Sequence, residues 1–414
     1  MKRLSWLPPL NDQVWILAFG RLLSEIGSGF TLFYAPIFFV NQVGLSATSV
    51  GIGLGSASIS GVIGRIMGGT MADSQFWGRR RTLLLSAIIS ALASLVLAFT
   101  SNFPIFVVGN LLMGLGTGLY WPATEAVVAD VTPPQQLNEA YALTRLADNL
   151  GLGLGVIFGG MLIASTGANR SLFVIDAISF LIFSGVIYVR ITETNEFAGE
   201  HRQVFQGWAT ALRDRRLQVY VLVNILFTIY VAQIQSTMPL YFSNFVRGTH
   251  QGFAPPTISA LFTWYIVLTA VFQLPVARVL NRFRRTQALM LSASLWAGGF
   301  ALVWFTAVAH FGHLTWAVLA LLVLATASVT YNPAASSLVV ELAPASLRGI
   351  YLSINSLCWA IGYFIGPPLG GWSLDQSLWL AHSYWLYLAL SVGVAILILL
   401  FLDQMMRSLR SPTS

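Results

Sequence analysis

Tyr120-Trp121-Pro122-Ala123, followed by Gly151-Leu-Gly-Leu-Gly155-Val-Ile-Phe-Gly159-Gly160, is met twice in this chain. The second copy reads Tyr331-Asn332-Pro333-Ala334, with Gly362-Tyr-Phe-Ile-Gly366-Pro367-Pro-Leu-Gly370-Gly371 behind it. One ungapped shift of 211 residues superposes the two and also carries Asp130 onto Glu341 and Pro133 onto Pro344. The chain is therefore built from two related halves. The spacing Gly-xxx-Gly-xxx-Gly puts small residues on one stripe of a helix, where a second helix can approach closely.

The surroundings of the repeat are apolar. Of 414 residues, 56% are hydrophobic and 9% charged, against about a quarter charged in soluble domains. Charges are expensive in lipid, so a lipid-embedded chain keeps them for its loops. Disorder, a collagen-like repeat and a disulfide scaffold are excluded; the single cysteine, Cys358, has no partner to bridge to. About 20 mostly apolar residues make one spanning helix. Twelve such stretches are predicted at about 13–40, 47–72, 82–100, 103–130, 138–164, 171–190, 217–242, 256–280, 286–308, 314–341, 347–373 and 382–403. A polar stretch, 191–216, lies midway. The expected fold is all-α: an N-terminal six-helix bundle over 1–190, a linker over 191–216 and a C-terminal six-helix bundle over 217–414.

The cations orient it. With the N-terminus inside, 17 of the 22 Lys and Arg fall in cytoplasmic segments, while the outer loops hold only Arg170 and Arg247. That bias places both termini in the cytoplasm of a plasma-type membrane. It also explains the net charge of +7 without nucleic acid, since the basic residues are scattered through short loops. The repeat offset spans an even number of helices, so both halves have the same topology. They are related about an axis along the membrane normal, an arrangement that places a substrate site near the midplane between the halves.

The loop Gly69-Thr-Met-Ala-Asp73-Ser-Gln-Phe-Trp-Gly78-Arg79-Arg80-Arg81 lies between spans two and three, and Asn281-Arg282-Phe283-Arg284-Arg285 is its weaker echo in the second half. With them the chain resembles the major facilitator superfamily. Asp130-Val-Thr-Pro-Pro and Glu139-Ala-Tyr-Ala-Leu-Thr-Arg145-Leu-Ala-Asp148-Asn149-Leu-Gly151 are most similar to bacterial twelve-helix drug:proton antiporters. The chain departs from that pattern at Val156, where the fifth-helix motif has proline, and at Asn110, where many proton-coupled relatives have arginine. The full motif, Gly362-xxx-Gly366-Pro367-xx-Gly370-Gly371, stands in the eleventh span instead. The resemblance implies a cytoplasmic latch of Gly69, Asp73, Gly78, Arg79, Arg80, Arg81 and Asp130, and a packing gate of Gly151, Gly155, Gly159, Gly362, Gly366, Pro367 and Gly370.

Ionisable residues inside spans are candidates for function. Glu25 lies near mid-bilayer, with Arg21 one turn before it. Glu25 is either the proton carrier or half of a self-neutralising pair with Arg21. Asp148, three residues after Arg145, and Glu125, near the cytoplasmic end of span four, are the other proton-coupling candidates. Arg145–Asp148 reads equally as an internal structural pair. Arg65 and Asp176 sit toward the interfaces and read as interfacial. The resemblance assigns the cavity lining to spans one, four, seven and ten, hence to Tyr34, Asn110, Tyr120, Trp121, Asn224, Gln233, Gln235, Tyr331 and Asn332. Trp264, Tyr265, Asn355 and Trp359 join them from spans eight and eleven.

His310-Phe-Gly-His313 lacks a third metal ligand, and Lys2 is the only lysine, so no phosphate-binding Gly-xxxx-Gly-Lys loop exists. No metal, cofactor or enzymatic nucleophile is expected. The expectation is a monomeric secondary transporter in the lipid bilayer, exporting amphipathic small molecules in exchange for protons. Its alternatives are a facilitator, metabolite or lipid transporter on the same scaffold, or a membrane sensor that does not transport.

Overall fold

The computed structural model describes residues 10–74, 76–133, 136–166, 169–193, 204–248, 251–280, 282–344 and 347–408, and over these the chain is helical. The elements are α1 (Asp12–Leu32), α2 (Ala35–Asn41), α3 (Ala47–Ala72), α4 (Gly78–Ala98), α5 (Phe103–Val131), α6 (Leu137–Thr166), α7 (Asn169–Arg190) and α8 (Val204–Arg213). They continue with α9 (Arg215–Gln235), α10 (Thr237–Asn244), α11 (Pro255–Leu280), α12 (Arg285–Val308), α13 (His313–Leu342), α14 (Arg348–Leu374) and α15 (Leu378–Ser408). Eleven of them are long and apolar enough to cross a membrane. α1 is the twelfth span by length, but it carries Asp12, Arg21 and Glu25. Phe19, Ile66, Val189, Leu390 and Leu397 are among many large apolar side chains left facing outward. Such a surface is satisfied by hydrocarbon and not by water. The chain is a multi-pass membrane protein.

The chain divides into two compact units, Met1–Leu45 with Ile52–Gly199, and Ser46–Gly51 with Glu200–Ser414. The first turn of α3 thus groups with the second unit. In the first unit α1 packs on α6 and α7, and α4 on α5 and α7; in the second α9 packs on α14, and α12 on α13 and α15. The stretch 191–216, expected to be wholly linker, contains α8, and α9 follows it after the single residue Asp214.

The repeat holds at the level of helix ends. α5 ends at Val131 and α13 at Leu342, and α6 starts at Leu137 and α14 at Arg348, each pair 211 apart. The first spans of the two units differ from expectation in the same way. The predicted single spans 13–40 and 217–242 are each broken, into α1 and α2 and into α9 and α10. Pro36 and Pro239 are the reason. A proline has no N–H for the carbonyl four residues earlier, and those carbonyls belong to Leu32 and Gln235, the last residues of α1 and α9.

Glycines set the closest approaches. A Cβ on Gly151 would meet the Leu22 backbone oxygen and Glu25 Cβ; one on Gly155 would meet the Ile26 oxygen and Gly29 Cα. In the second unit Gly362 faces Thr228, Gly366 faces Ile229 and Ala232, and Gly370 faces Thr237. Residues 25, 26 and 29 of α1 therefore stand where 228, 229 and 232 of α9 stand. Gly159 lies buried in α6.

Candidate functional site

In the first unit, Arg21 of α1 is 1% exposed and its Nε donates to Asp148 Oδ1 of α6 in an ion pair. Its guanidinium carbon lies 4.4 Å from the ring centre of Tyr120 and 4.9 Å from that of Trp121, both on α5. Three helices thus converge on one cation. The aromatic faces stabilise it electrostatically, while Nη1 and Nη2 are buried with no hydrogen-bond partner. Glu25 is one turn further along α1, packed by its Cβ against Gly151. Glu25 is open to being a proton carrier or the partner of Arg21; the ion pair that Arg21 makes is with Asp148, across the α1–α6 contact. The pairing of Arg145 with Asp148 lies outside the described residues, because the Arg145 side chain is not among them.

Other first-unit candidates lie around it. Asn110 Nδ2 donates to the Phe106 carbonyl of its own helix (2.9 Å), and Tyr34 OH donates to the Val156 carbonyl (3.2 Å). Glu125 is exposed at the end of α5, where its carbonyl accepts from Tyr141 OH (3.1 Å). Asp176 is 0% exposed, buried within the helix bundle.

At the α3–α4 loop, Arg79 pairs with Asp130 of α5, Arg80 Nη2 donates to the Tyr188 carbonyl (2.5 Å) and Arg81 Nη1 to the Phe76 carbonyl (2.6 Å). Asp73 is exposed and takes no part in these contacts. Its place at the loop is taken by Glu193. That carboxylate accepts from the backbone N–H of Arg79 (2.7 Å) and Arg80 (3.2 Å), where the unpaired amides and the dipole of a helix start favour an anion. Gly78, at φ 78°, lies against the Glu193 carboxylate, so any side chain is doubly refused there. Gly69 has open space around it.

The second unit holds a neutral network. Asn224 of α9 stands where Arg21 stands in α1, and Tyr331 where Tyr120 stands. Tyr331 OH donates to Asn224 Oδ1 (2.6 Å), Asn224 Nδ2 donates to Asn355 Oδ1 (3.0 Å), and Tyr220 OH donates to the same Asn355 oxygen (2.5 Å). Trp359 stacks on Tyr363, whose OH donates to Gln235 Oε1 (2.6 Å). Gln233 Nε2 donates to the Gly366 carbonyl (2.8 Å), and Tyr265 OH pairs with Ser328 Oγ (3.0 Å). Trp264 and Asn332 are exposed. Pro367 lies in α14, its carbonyl facing Gly51.

Three contributors escape a reading by sequence. Tyr220 is one turn before Asn224, a signal that was available. Glu193 and Asp375 look like loop acids until the helix starts they cap are seen. Asp375 accepts from Ala47 N (2.9 Å), Thr48 N (2.7 Å) and Thr48 Oγ1 (2.5 Å), capping the first turn of α3 within the second unit. Among the described residues no cluster of three or more metal-ligating side chains is found.

A sequence profile of the Major Facilitator Superfamily matches residues 17–249 and again 245–413, one match to each half of the repeat. A multidrug resistance protein MdtH of Photorhabdus laumondii is 26% identical over 369 residues, covering 87% of this chain and 86% of the relative. The MdtH of Proteus mirabilis is 26% identical over 392 residues, covering 92% and 91%. Among solved structures, the nucleoside transporter NupG aligns with a TM-score of 0.78 at 14% identity, over 95% of this chain and 99% of that one. At that identity the likeness is one of fold.

Proposed function

The chain belongs to the major facilitator superfamily, and on that basis we propose that it exports lipophilic or amphipathic small molecules across the bacterial inner membrane in exchange for protons, both termini facing the cytoplasm. One observation carries the reading: Arg21, buried and paired with Asp148, keeps two unpartnered guanidinium nitrogens one turn from Glu25. When Glu25 holds a proton, Asp148 alone neutralises Arg21. When Glu25 gives the proton up, a second carboxylate competes for the same guanidinium, and the spare nitrogens can receive it. A cationic or amphipathic substrate favours the ionised form of Glu25 and so expels the proton; reprotonation from outside removes the charge that held the substrate. Relatives named for multidrug resistance and the half-buried Trp359–Tyr363 aromatic pair support a lipophilic substrate. Glu125 and Asp148 are the alternative carriers if proton coupling survives Glu25→Gln.

The test is ethidium transport in inverted vesicles. We expect uptake driven by a pH gradient and abolished when that gradient is collapsed. Uptake that survives its collapse and survives Glu25→Gln would instead favour a facilitator. The uncharged Asn224–Tyr331–Asn355 network, which suits a neutral polar solute, is the feature that supports that second reading.

A further inference from the structure

Gly27 of α1 makes room for a carboxyl that the mechanism above does not use. A Cβ at Gly27 would fall 2.5 Å from Asp176 Oδ1 of α7 and collide with Ser179 Oγ as well. Asp176 is wholly buried. Its Oδ2 accepts from Ser94 Oγ of α4 (2.6 Å), and its Oδ1 has no partner. Ser179 Oγ does not help, since it donates to the Asp176 backbone carbonyl (2.7 Å).

The charged groups around it are few. α4 brings Ser94 and no charge to this point. On α7 itself, Arg170 is committed to the Ala98 and Thr100 carbonyls (3.2 and 3.3 Å). On α1, Arg21 is paired with Asp148, and Glu25 lies two residues before Gly27, the residue against which the Asp176 carboxyl sits. Among the described residues no cation pairs with Asp176, and the Ser94 hydroxyl is the one donor to its carboxyl. A bare carboxylate so placed in a membrane bundle is costly, whereas a carboxylic acid needs far less.

We propose that Asp176 is a proton-binding site of the first unit, coupled to Glu25 so that the two carboxyls do not ionise independently. Its part in transport rests on the antiport reading; its binding of a proton does not. Two acids interacting through the bundle release protons in steps that belong to the pair. The first unit then stores protons on both sides of α1: at Glu25 toward α6, and at Asp176 toward α7.

The test is pH-difference infrared spectroscopy of the full chain in lipid nanodiscs, reading the carbonyl stretch of protonated carboxyls. Wild type is expected to show two bands that titrate. Asp176→Asn should remove one band and move the midpoint of the other; Glu25→Gln should remove the second. Ser94→Ala, which keeps the carboxyl, should shift the Asp176 band to higher wavenumber by removing its hydrogen bond. That variant decides the matter should Asp176→Asn fail to fold. Bands unchanged in Asp176→Asn or in Ser94→Ala would overturn the proposal. So would an Asp176 band that persists to the most alkaline pH at which the fold holds, or one displaced by sodium. Tetraphenylphosphonium addition is the separate arm. If it releases no proton from wild type while both bands titrate, the antiport reading fails and the Asp176 site stands.

Discussion

Arg21 is the residue on which the first unit turns, and its environment sets the cost of disturbing it. Removing one partner of a buried ion pair leaves an uncompensated charge, at about 3–5 kcal/mol. Asp148→Asn should therefore lower the unfolding temperature in detergent, measurably more than Glu125→Gln, whose side chain is exposed. Equal effects of the two would contradict the hub. Asp214, in the loop before α9, gives a pH test. Partial burial raises its carboxyl, but the Tyr351 hydroxyl and the Arg216 amide and guanidinium outweigh that and hold it below the usual carboxylate range. A group depressed in the fold stabilises it above the unfolded-state value, and that share is lost as pH falls through the folded value. Asp214→Ala should cost about 1–2 kcal/mol at neutral pH, as helix-cap losses do. The gap from wild type should close in acid; a constant gap would show that the carboxyl's charge contributes nothing.

At the scale of elements, glycines and prolines decide which helices touch and where they break. Gly155→Val drives a branched side chain into the backbone of α1 at Ile26 and Gly29, which cannot step aside. Overpacking of this kind costs about 1–3 kcal/mol. Gly69→Val points into open space and should leave the melting temperature of the purified protein unchanged. A reversal of that order would contradict the packing described. The glycine stripes were legible because their spacing repeats, and eleven of the twelve expected spans because lipid demands long apolar runs. The breaks after Leu32 and Gln235 were equally written in Pro36 and Pro239, but an apolar run gives no sign that its backbone is interrupted. The partner of Arg21 was not legible at all. Glu25 is its neighbour in sequence, whereas Asp148 is brought to it only by the α1–α6 packing that Gly151 and Gly155 permit. Asp73 shows the opposite failure. It is prominent in the loop motif, yet the anion that meets the start of α4 is Glu193, from beyond α7.

At the scale of the whole molecule, one repeat has been filled with two chemistries. Where the first unit places Arg21 and Asp148 among Tyr120 and Trp121, the second has Asn224 in the place of Arg21 and Trp359, 211 residues on, in that of Asp148, and its Tyr331–Asn224–Asn355–Tyr220 bonds are all neutral. Duplication of one six-helix unit explains the shared helix ends; under the antiport proposal, the uncharged residues at these places leave proton chemistry to the first unit. Proton-linked behaviour should then be insensitive to Asn224→Ala, which should weaken binding of tetraphenylphosphonium without moving its pH dependence. A moved pH dependence would place coupling in both units. The most direct measurement of the central claim is proton release into a pH dye when tetraphenylphosphonium is added to the detergent-solubilised protein, wild type against Glu25→Gln. We predict release from wild type and none from Glu25→Gln with binding retained; equal release from both proteins would contradict Glu25 as the carrier.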